Sequence, residues 1–291
     1  MSDAQGRELW LAPLRGVTIR AFRTAFADAI RDAGFDGAFA PFIPANAGFK
    51  YSKKLFSDIL PDGQVSGQEL VPQVIGKDPS ALREWCKAVK DLGYRRADLN
   101  AGCPFPMIRK KGRGSGLMRS PDVLERMLEA GCAEMGAGNF SLKIRLGIDS
   151  PDEIMSLMPV VNRHPLAVLT VHARTARQMY EGATDREAFG AVLAAAEVPV
   201  MYNGDADVSD AIDAPLMVGR SFIRALADRP DAKELFRRYM DESRRELCGD
   251  TPVLGRMKEL LSYWCAQPSW RPLWQAVKIC RSTEELSTVI S

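Results

Sequence analysis

Eight short apolar runs, spaced by longer amphipathic stretches, constrain this chain more than any other feature of its sequence. The runs are Leu9–Pro13, Gly37–Phe42, Leu70–Ile75, Ala97–Asn100, Phe140–Arg145, Ala167–His172, Pro199–Asn203 and Pro215–Val218. Near-continuous apolar runs of this length read as strands buried on both faces, which occur in parallel sheets covered by helices. Ile19–Ala33, Ser80–Leu92, Pro121–Met135, Pro151–Asn162 and Asp185–Ala195 read as the covering helices. In the second of them Leu82, Trp85, Cys86 and Val89 keep the spacing of one helix face. Thr18 and Ser120 stand at N-cap positions, and Pro121 at a first helical position. Eight strands alternating with helices predict an α/β fold closed into a TIM (β/α)8 barrel rather than an open sheet.

Two segments depart from that regularity. Gly48–Gly67 lacks strong periodicity and reads as helix plus loop. The connection from Asp205 to Leu216 is short for a crossover helix, which with its turns needs at least about 10–12 residues. One βα unit is therefore expected to be abbreviated. Past Asp228 no strand-like run recurs, and Ala232–Leu247, Leu254–Ala266, Pro272–Cys280 and Thr283–Ile290 read as helices. The expected organisation is a barrel over residues 1–228 and a C-terminal helical domain over 229–291.

Composition supports an ordinary globular enzyme, with 46% hydrophobic and 26% charged residues among 291. No apolar run approaches the roughly 20 residues that span a bilayer, and MSDAQGRELW lacks the basic-then-apolar pattern of a secretory signal. A cytoplasmic protein without membrane association is the expectation, with a monomer as the default. Cys86, Cys103, Cys132, Cys248, Cys265 and Cys280 form no C-x-x-C pair, and His164 and His172 are the only histidines. Free thiols and no metal site follow from that inventory. A formal net charge of +2 excludes a strongly basic nucleic-acid binder but not a localised basic face.

Active sites of such barrels gather at the carboxyl ends of the strands, and there the polar and Gly-rich signatures sit. They are Ala12-Pro13-Leu14 after the first run, Gln73 in the third and Asn100-Ala101-Gly102-Cys103-Pro104 after the fourth. Lys143 and Arg145 lie in the fifth, His172-Ala173-Arg174-Thr175 ends the sixth, Asn203-Gly204-Asp205 the seventh and Gly219-Arg220 the eighth. Each is weak alone; recurrence at the same end of successive strands is the informative fact. Lys143 and Arg145 alternate with Leu142, Ile144 and Leu146, so both share one strand face. A lysine inside a barrel is costly unless it meets an anion or a carbonyl. The loops at Asn203-Gly204-Asp205 and Gly219-Arg220-Ser221 fit a phosphate site, with glycines that let backbone approach closely.

LAPLRGVTIRAFR, LNAGCPFPMIRKKGRGSGLM, SLKIRLG, VHARTARQMYEG, VPVMYNGD and MVGRS resemble, in order and spacing, the successive motifs of the tRNA-dihydrouridine synthases over roughly residues 9–223. GRMKELLSYW resembles that family's C-terminal helical domain. The resemblance implies an FMN-dependent oxidoreductase that reduces selected uridines of tRNA, with NADPH (or NADH) as electron donor. It implies Cys103 as the acid that protonates C5 of uracil while the flavin delivers hydride to C6. A thiol with a pKa near about 8.5 is mostly protonated at neutral pH, as this role requires. The family places Ala12, Pro13 and Leu14 under the isoalloxazine, Gln73 in a hydrogen bond to it, Lys143 at its N1–O2 edge and His172 beside it. It places Asn100 and Arg145 near the uracil base. The shortened Asp205–Leu216 connection departs from the family pattern beside the phosphate loops.

A base swung out of folded tRNA costs a few kcal/mol, which backbone contacts must offset. Candidate donors are Arg109, Lys110, Lys111 and Arg113 after Cys103, and Lys50, Lys53 and Lys54 in the second unit. On the helical domain Arg244, Arg245, Arg271, Lys278 and Arg281 are further candidates, and Arg256 and Lys258 are singled out because they lie in the GRMKELLSYW stretch. Gly112, Gly114 and Gly116 make Pro104–Leu117 either a mobile segment that carries Cys103 over substrate or a plain surface loop. Two other functions fit parts of the same sequence: an FMN-dependent reductase of a small pyrimidine or enone, and a non-catalytic RNA-binding flavoprotein. The helical domain and basic loops argue against the first, and Cys103 with Lys143 against the second.

Overall fold

A computed structural model describes residues 6–62, 65 and 67–290. It contains ten short strands: β1 (Leu9–Leu11), β2 (Gly37–Phe39), β3 (Ile43–Ala45), β4 (Glu69–Val71), β5 (Gln73–Gly76), β6 (Ala97–Ala101), β7 (Phe140–Gly147), β8 (Leu169–Thr175), β9 (Val200–Asn203) and β10 (Leu216–Val218). All pairings are parallel, in the order β3-β5-β6-β7-β8-β9-β10-β1-β2-β4. Those ten strands are eight staves. β4 and β5 are one segment interrupted at Pro72, which has no N–H for the ladder. β4 pairs with β2 and β5 with β6, so the two ends of the sheet meet in that segment and the barrel closes. β2 and β3 likewise belong to one stave, broken over residues 40–42 around Pro41.

Side-chain alternation along the staves sorts the core into two. Trp10, Ala12, Phe39, Val71, Val168, Met201 and Met217 form one cluster, while the much larger cluster takes their alternating neighbours, such as Leu9, Leu11, Leu216 and Val218, with the helices. The smaller cluster is the barrel interior. The same parity assigns the polar residues. Ala97, Leu99, Ala101, Leu142, Ile144, Leu146, Leu169, Val171 and Ala173 belong to the outer core. Asp98, Asn100, Ser141, Lys143, Arg145, Thr170, His172 and Arg174 therefore project inward, the last of each stave toward its carboxyl end.

The helices follow the amphipathic pattern with local breaks. The stretch 19–33 divides at Phe26 into α1 (Arg20–Ala25) and α2 (Ala27–Asp32). α3 (Pro79–Asp91) is capped by Asp78, whose carboxylate accepts from the backbone of Ser80 and Ala81. A short α4 (Pro106–Arg109) precedes α5 (Pro121–Met135); residues 151–162 give a 3-10 turn, Glu153–Leu157, and α6 (Met158–Asn162). α7 (Arg186–Ala195) is capped by Asp185, and α8 (Arg220–Ala225) follows β10. Thr18 does not cap α1: its hydroxyl accepts from Leu14 N and donates to the Ala12 carbonyl, bracing the turn after β1. Ser120 holds the cap position of α5 without a side-chain bond. Within 48–67 the described helix is only the 3-10 turn Ser57–Ile59.

No helix forms between β9 and β10. Arg7 instead donates to the carbonyls of Asp210 (2.5 Å), Ile212 (2.9 Å) and Val208 (3.3 Å), tying that loop to the start of the chain. Beyond it lie α9 (Ala232–Glu246), α10 (Asp250–Trp264), α11 (Arg271–Ile279) and α12 (Thr283–Ile290). They share the outer core with α1 and α8: Tyr239 packs edge-on to Phe22, and Trp264 to Phe26. The indoles of Trp264 and Trp270 donate to the carbonyls of Ile223 (2.7 Å) and Ala227 (3.0 Å). Among the described residues no helix is long and apolar enough to cross a membrane, and no three His, Cys, Asp or Glu side chains group as metal ligands.

Candidate active site

The inward polar residues converge on a cleft at the carboxyl end of the barrel. Its empty volume, open mouth included, is about 810 Å³. Ala12, Pro13, Leu14, Asn100, Cys103, Lys143, Arg145, His172, Asn203, Gly204, Asp205, Gly219 and Arg220 all line it, brought from six staves. Arg15, Phe42, Phe105 and Tyr180 complete the wall.

Cys103 sits in a turn fixed from three sides. Asn100 Oδ1 accepts from the backbone of Gly102 (3.1 Å) and Cys103 (2.9 Å). Arg145 Nε donates to the Gly102 carbonyl (2.8 Å), and Ser115 donates through its backbone (3.1 Å) and hydroxyl (3.0 Å) to the Cys103 carbonyl. The thiol is 7% exposed, facing the cleft. Burial pushes its pKa up, against the Phe105 backbone N–H and the charges of Arg145 and Arg15. It is therefore protonated at neutral pH, the state of an acid.

The glycines after Cys103 serve close packing rather than a loose loop. Gly114–Arg119 forms a 3-10 turn whose residues 114–118 are buried. A Cβ on Gly114 would stand 2.7 Å from Cys103 Cβ, and one on Gly116 would stand 2.4 Å from the Arg109 carbonyl oxygen. Neither distance is tolerable, so both positions exclude a side chain.

Cations dominate the far wall. Lys143 Nζ donates to Asn203 Oδ1 (2.7 Å), and Asn203 Nδ2 in turn donates to the Met217 carbonyl. Burial, then Arg145, lowers the Lys143 pKa to about 7, so an anion in the cleft would restore its charge. Arg145 is 1% exposed; besides Gly102 it donates to the Thr175 carbonyl (2.8 Å), and its guanidinium lies 5.2 Å from the Tyr180 ring centre. Burial, then Arg145, Lys143 and Arg174, hold His172 well below its usual pKa and hence neutral. Arg174 Nη1 lies 3.2 Å from His172 Nε2; a guanidinium only donates, so Nε2 accepts and the ring proton is on Nδ1.

The Asp205 carboxylate bridges Arg174 and Arg220. Burial alone would raise its pKa, but those two guanidinium groups hold it below the usual range. It occupies the left-handed region at φ +50°, which Asp tolerates better than most residues. Arg220 also donates to the Tyr180 carbonyl (2.9 Å) and stacks on its ring at 5.3 Å, so Tyr180 lies between two guanidinium groups. Gly204 packs on His172 and Thr184, and Gly219 on Ala12, where a Cβ would meet them at 3.3, 2.9 and 3.1 Å.

Three expected residues do not line this cleft: Gln73, and Arg256 and Lys258, which were expected on the helical domain and stand there. Gln73 is fully buried beneath the cleft, held between Asp98 and Asn100. Arg256 on α10 is half-buried against the loop after β1, its Nη1 2.4 Å from where a Gly16 Cβ would stand. The Lys258 ammonium donates to the carbonyls of Lys278 (3.0 Å) and Cys280 (2.9 Å), closing the end of α11. Conversely Arg15, Phe42, Phe105 and Tyr180 were not singled out from sequence, nor was Arg174 beyond its motif. Strand parity carries signals for Arg174 and Asp98, each two residues from His172 or Asn100; Tyr180 and Phe105 fall within the quoted motifs, but loops have no periodicity to single them out.

The comparisons with known proteins agree with this geometry. Residues 10–220 match the family model described as dihydrouridine synthase (Dus). The chain is 32% identical over 202 residues to a tRNA-dihydrouridine synthase B of Vibrio cholerae, covering 68% of this chain and 60% of that protein. It is 28% identical over 202 residues to a tRNA-dihydrouridine(16) synthase of Cupriavidus necator, covering 68% and 62%. The matched stretch thus spans about three-fifths of those relatives' length. Among solved structures, morphinone reductase in complex with tetrahydroNAD superposes with a TM-score of 0.54 at 10% identity, over 79% of this chain and 86% of that one. The old yellow enzyme from Trypanosoma cruzi gives 0.52 at 10% identity, over 78% and 88%. At that identity the likeness bears on the fold, a barrel of the same kind. With the family model spanning the barrel, the chain belongs to the dihydrouridine synthase family.

Proposed function

We propose that the protein reduces uracil to dihydrouracil in tRNA, with FMN held in the cleft and NADPH (or NADH) as the source of electrons. The observation that carries this reading is a protonated thiol, Cys103, aimed into a barrel-mouth cleft whose other wall is cationic. The residues fit FMN. Gly204 and Gly219 bring backbone close against Thr184, His172 and Ala12, and Arg174 and Arg220 set two guanidinium groups, chemically suited to a phosphate, around the Asp205 carboxylate. Lys143 offers a titratable cation to an anionic ring edge, and Ala12, Pro13 and Leu14 offer an apolar floor.

Bound and reduced, the flavin supplies hydride to C6 of uracil. Cys103 gives its thiol proton to C5, and the thiolate is reprotonated from solvent. Asn100 holds the turn that aims the sulfur, Arg145 binds that turn to the end of β8, and His172 stays neutral beside them. Exposed Lys110, Lys111, Lys50, Lys53 and Lys54, with Arg109, Arg113 and the Arg256 edge of the helical domain (229–291), meet the RNA backbone. Lys258 contributes indirectly, by pinning the end of α11.

The test is dihydrouridine formation, measured by mass spectrometry, on tRNA from cells lacking this protein. Wild type with FMN and NADPH is expected to form it, and Cys103→Ala to lose at least about a hundredfold in rate, the typical value of a positioned acid. Turnover of free uridine as fast as tRNA would favour a small-molecule reductase. Equal dihydrouridine with wild type and Cys103→Ala would refute the role of the thiol.

A further inference from the structure

Beneath the cleft three buried side chains form a directed chain that ends on Cys103. Asp98 and Gln73 are 0% exposed and Asn100 is 8% exposed. Gln73 Nε2 donates to Asp98 Oδ2 (2.7 Å), Asn100 Nδ2 donates to Gln73 Oε1 (2.8 Å), and Asn100 Oδ1 accepts from the backbone of Gly102 and Cys103. Asp98 and Asn100 share the inward face of β6, and Gln73 pairs in register with Asp98 from β5.

The polarity of this chain follows from its two ends. Backbone N–H groups can only donate, so Asn100 must turn its oxygen to residues 102 and 103 and its NH2 to Gln73. Gln73 must then offer Asn100 its oxygen and Asp98 its NH2, which leaves residue 98 to accept. A carboxylate accepts in either orientation and never donates, so it holds Gln73 to this sense; an amide at that position accepts in one of its two flips. A Gln73 turned the other way would face Asn100 donor to donor. Asn100 would then flip, setting its NH2 against two backbone donors. Burial pushes the Asp98 pKa up to about 7, and the argument is unaffected, because a proton on Oδ1 leaves Oδ2 an acceptor.

We infer that Asp98 is a positioning residue: it sets the orientation of Gln73 and Asn100 and through them holds the Gly102–Cys103 turn in its reactive geometry. The inference rests on the proposed role of Cys103, but its test reads the turn itself. Amide hydrogen exchange over 99–105 and iodoacetamide modification of Cys103 would be measured on the full chain, with and without FMN. The exposed Cys248 serves as internal reference. Asp98→Leu removes the acceptor while keeping the branched shape, and Gln73→Met breaks the next link while leaving the carboxylate. Both are expected to speed exchange at Gly102 and Cys103 about tenfold, roughly what one lost hydrogen bond gives, and to speed alkylation of Cys103 but not of Cys248. Asp98→Asn, which can still accept from Gln73, is expected to stay within about twofold of wild type. In the tRNA assay kcat should fall for the first two variants with KM unchanged.

Unchanged exchange and alkylation in Asp98→Leu would overturn the inference, as would an Asp98→Asn protein as impaired as Asp98→Leu. If Asp98→Leu fails to fold, Gln73→Met carries the same two outcomes. A protein that shows this pattern yet forms no dihydrouridine would refute the proposed reaction alone. One that forms dihydrouridine without the pattern would refute the positioning role alone.

Discussion

Alanine at position 114 should abolish the proposed reaction by displacing Cys103 from behind. Gly114 has φ +56°, and a Cβ there would stand 2.7 Å from Cys103 Cβ and 2.8 Å from the Cys103 carbonyl oxygen. Ordinary contact lies near about 3.5 Å, so the two segments must part by about 0.8 Å. The left-handed backbone costs a non-glycine residue about 1–2 kcal/mol, and forcing a methyl into packed structure adds about 1–3 kcal/mol. Gly112→Ala is the matched control. Its φ is +70°, but its Cβ would meet only the flexible Lys77 side chain, at 3.4 Å or beyond. The control thus incurs the backbone cost alone. Urea denaturation and single-turnover rates on both variants separate the contributions. Gly114→Ala is expected to be less stable than Gly112→Ala by about 1–3 kcal/mol and slower by up to about a hundredfold, the scale of a 1 Å misplacement at a reacting centre. Equal stability and equal rates for the two would refute the claim that this glycine makes room for Cys103.

Three further outcomes follow from the cleft. His172 should stay neutral as pH falls through the ordinary imidazole value near about 6.5, read as constant ring shifts in NMR. Because the unfolded chain takes up that proton and the native chain does not, stability should fall as pH drops through about 6.5. Lys143 has a native pKa of about 7. Between there and its unfolded value near about 10.4 the unfolded state binds the extra proton, so flavin-free protein should gain stability as pH rises through that window. Lys143→Met should remove that gain, measured as the difference between the two denaturation profiles. Arg220→Ala should weaken FMN by about 10–100-fold, as loss of a charge-assisted contact implies, while riboflavin, lacking the phosphate, should bind as before in a fluorescence titration.

The barrel was legible because its staves alternate. Each expected run overlaps an observed stave, and the inward parity of Lys143, Arg145 and His172 could be read from Leu142, Ile144 and Val171. Breaks inside elements were not legible. Phe26 ends α1 although its neighbours keep helical spacing, because the aromatic rings of Phe22 and Phe26 pack under Tyr239 and Trp264, a long-range demand. Thr18 has the chemistry of a cap, yet tertiary structure supplied it with Ala12 and Leu14 instead. The cleft's loop residues escaped for a related reason. Tyr180 earns its place from Arg145 and Arg220, which lie 35 and 40 positions away. Position 112 to 116 was misleading in the other direction: three spaced glycines resemble a flexible loop, and only the distances to Cys103 and Arg109 show that two of them are steric clearances.

The helix missing between β9 and β10 has a consequence for how this protein would begin to come apart. In a complete βα unit the outer helix clamps its two staves by burying an apolar face; here one guanidinium, Arg7, gathers three carbonyls across a span of about 200 residues. Asp205 and Arg220, which carry the cofactor phosphate in the proposed reading, stand on that loop's two ends. Under mild denaturant this sector is the expected first breach, with cofactor release preceding loss of the rest of the barrel.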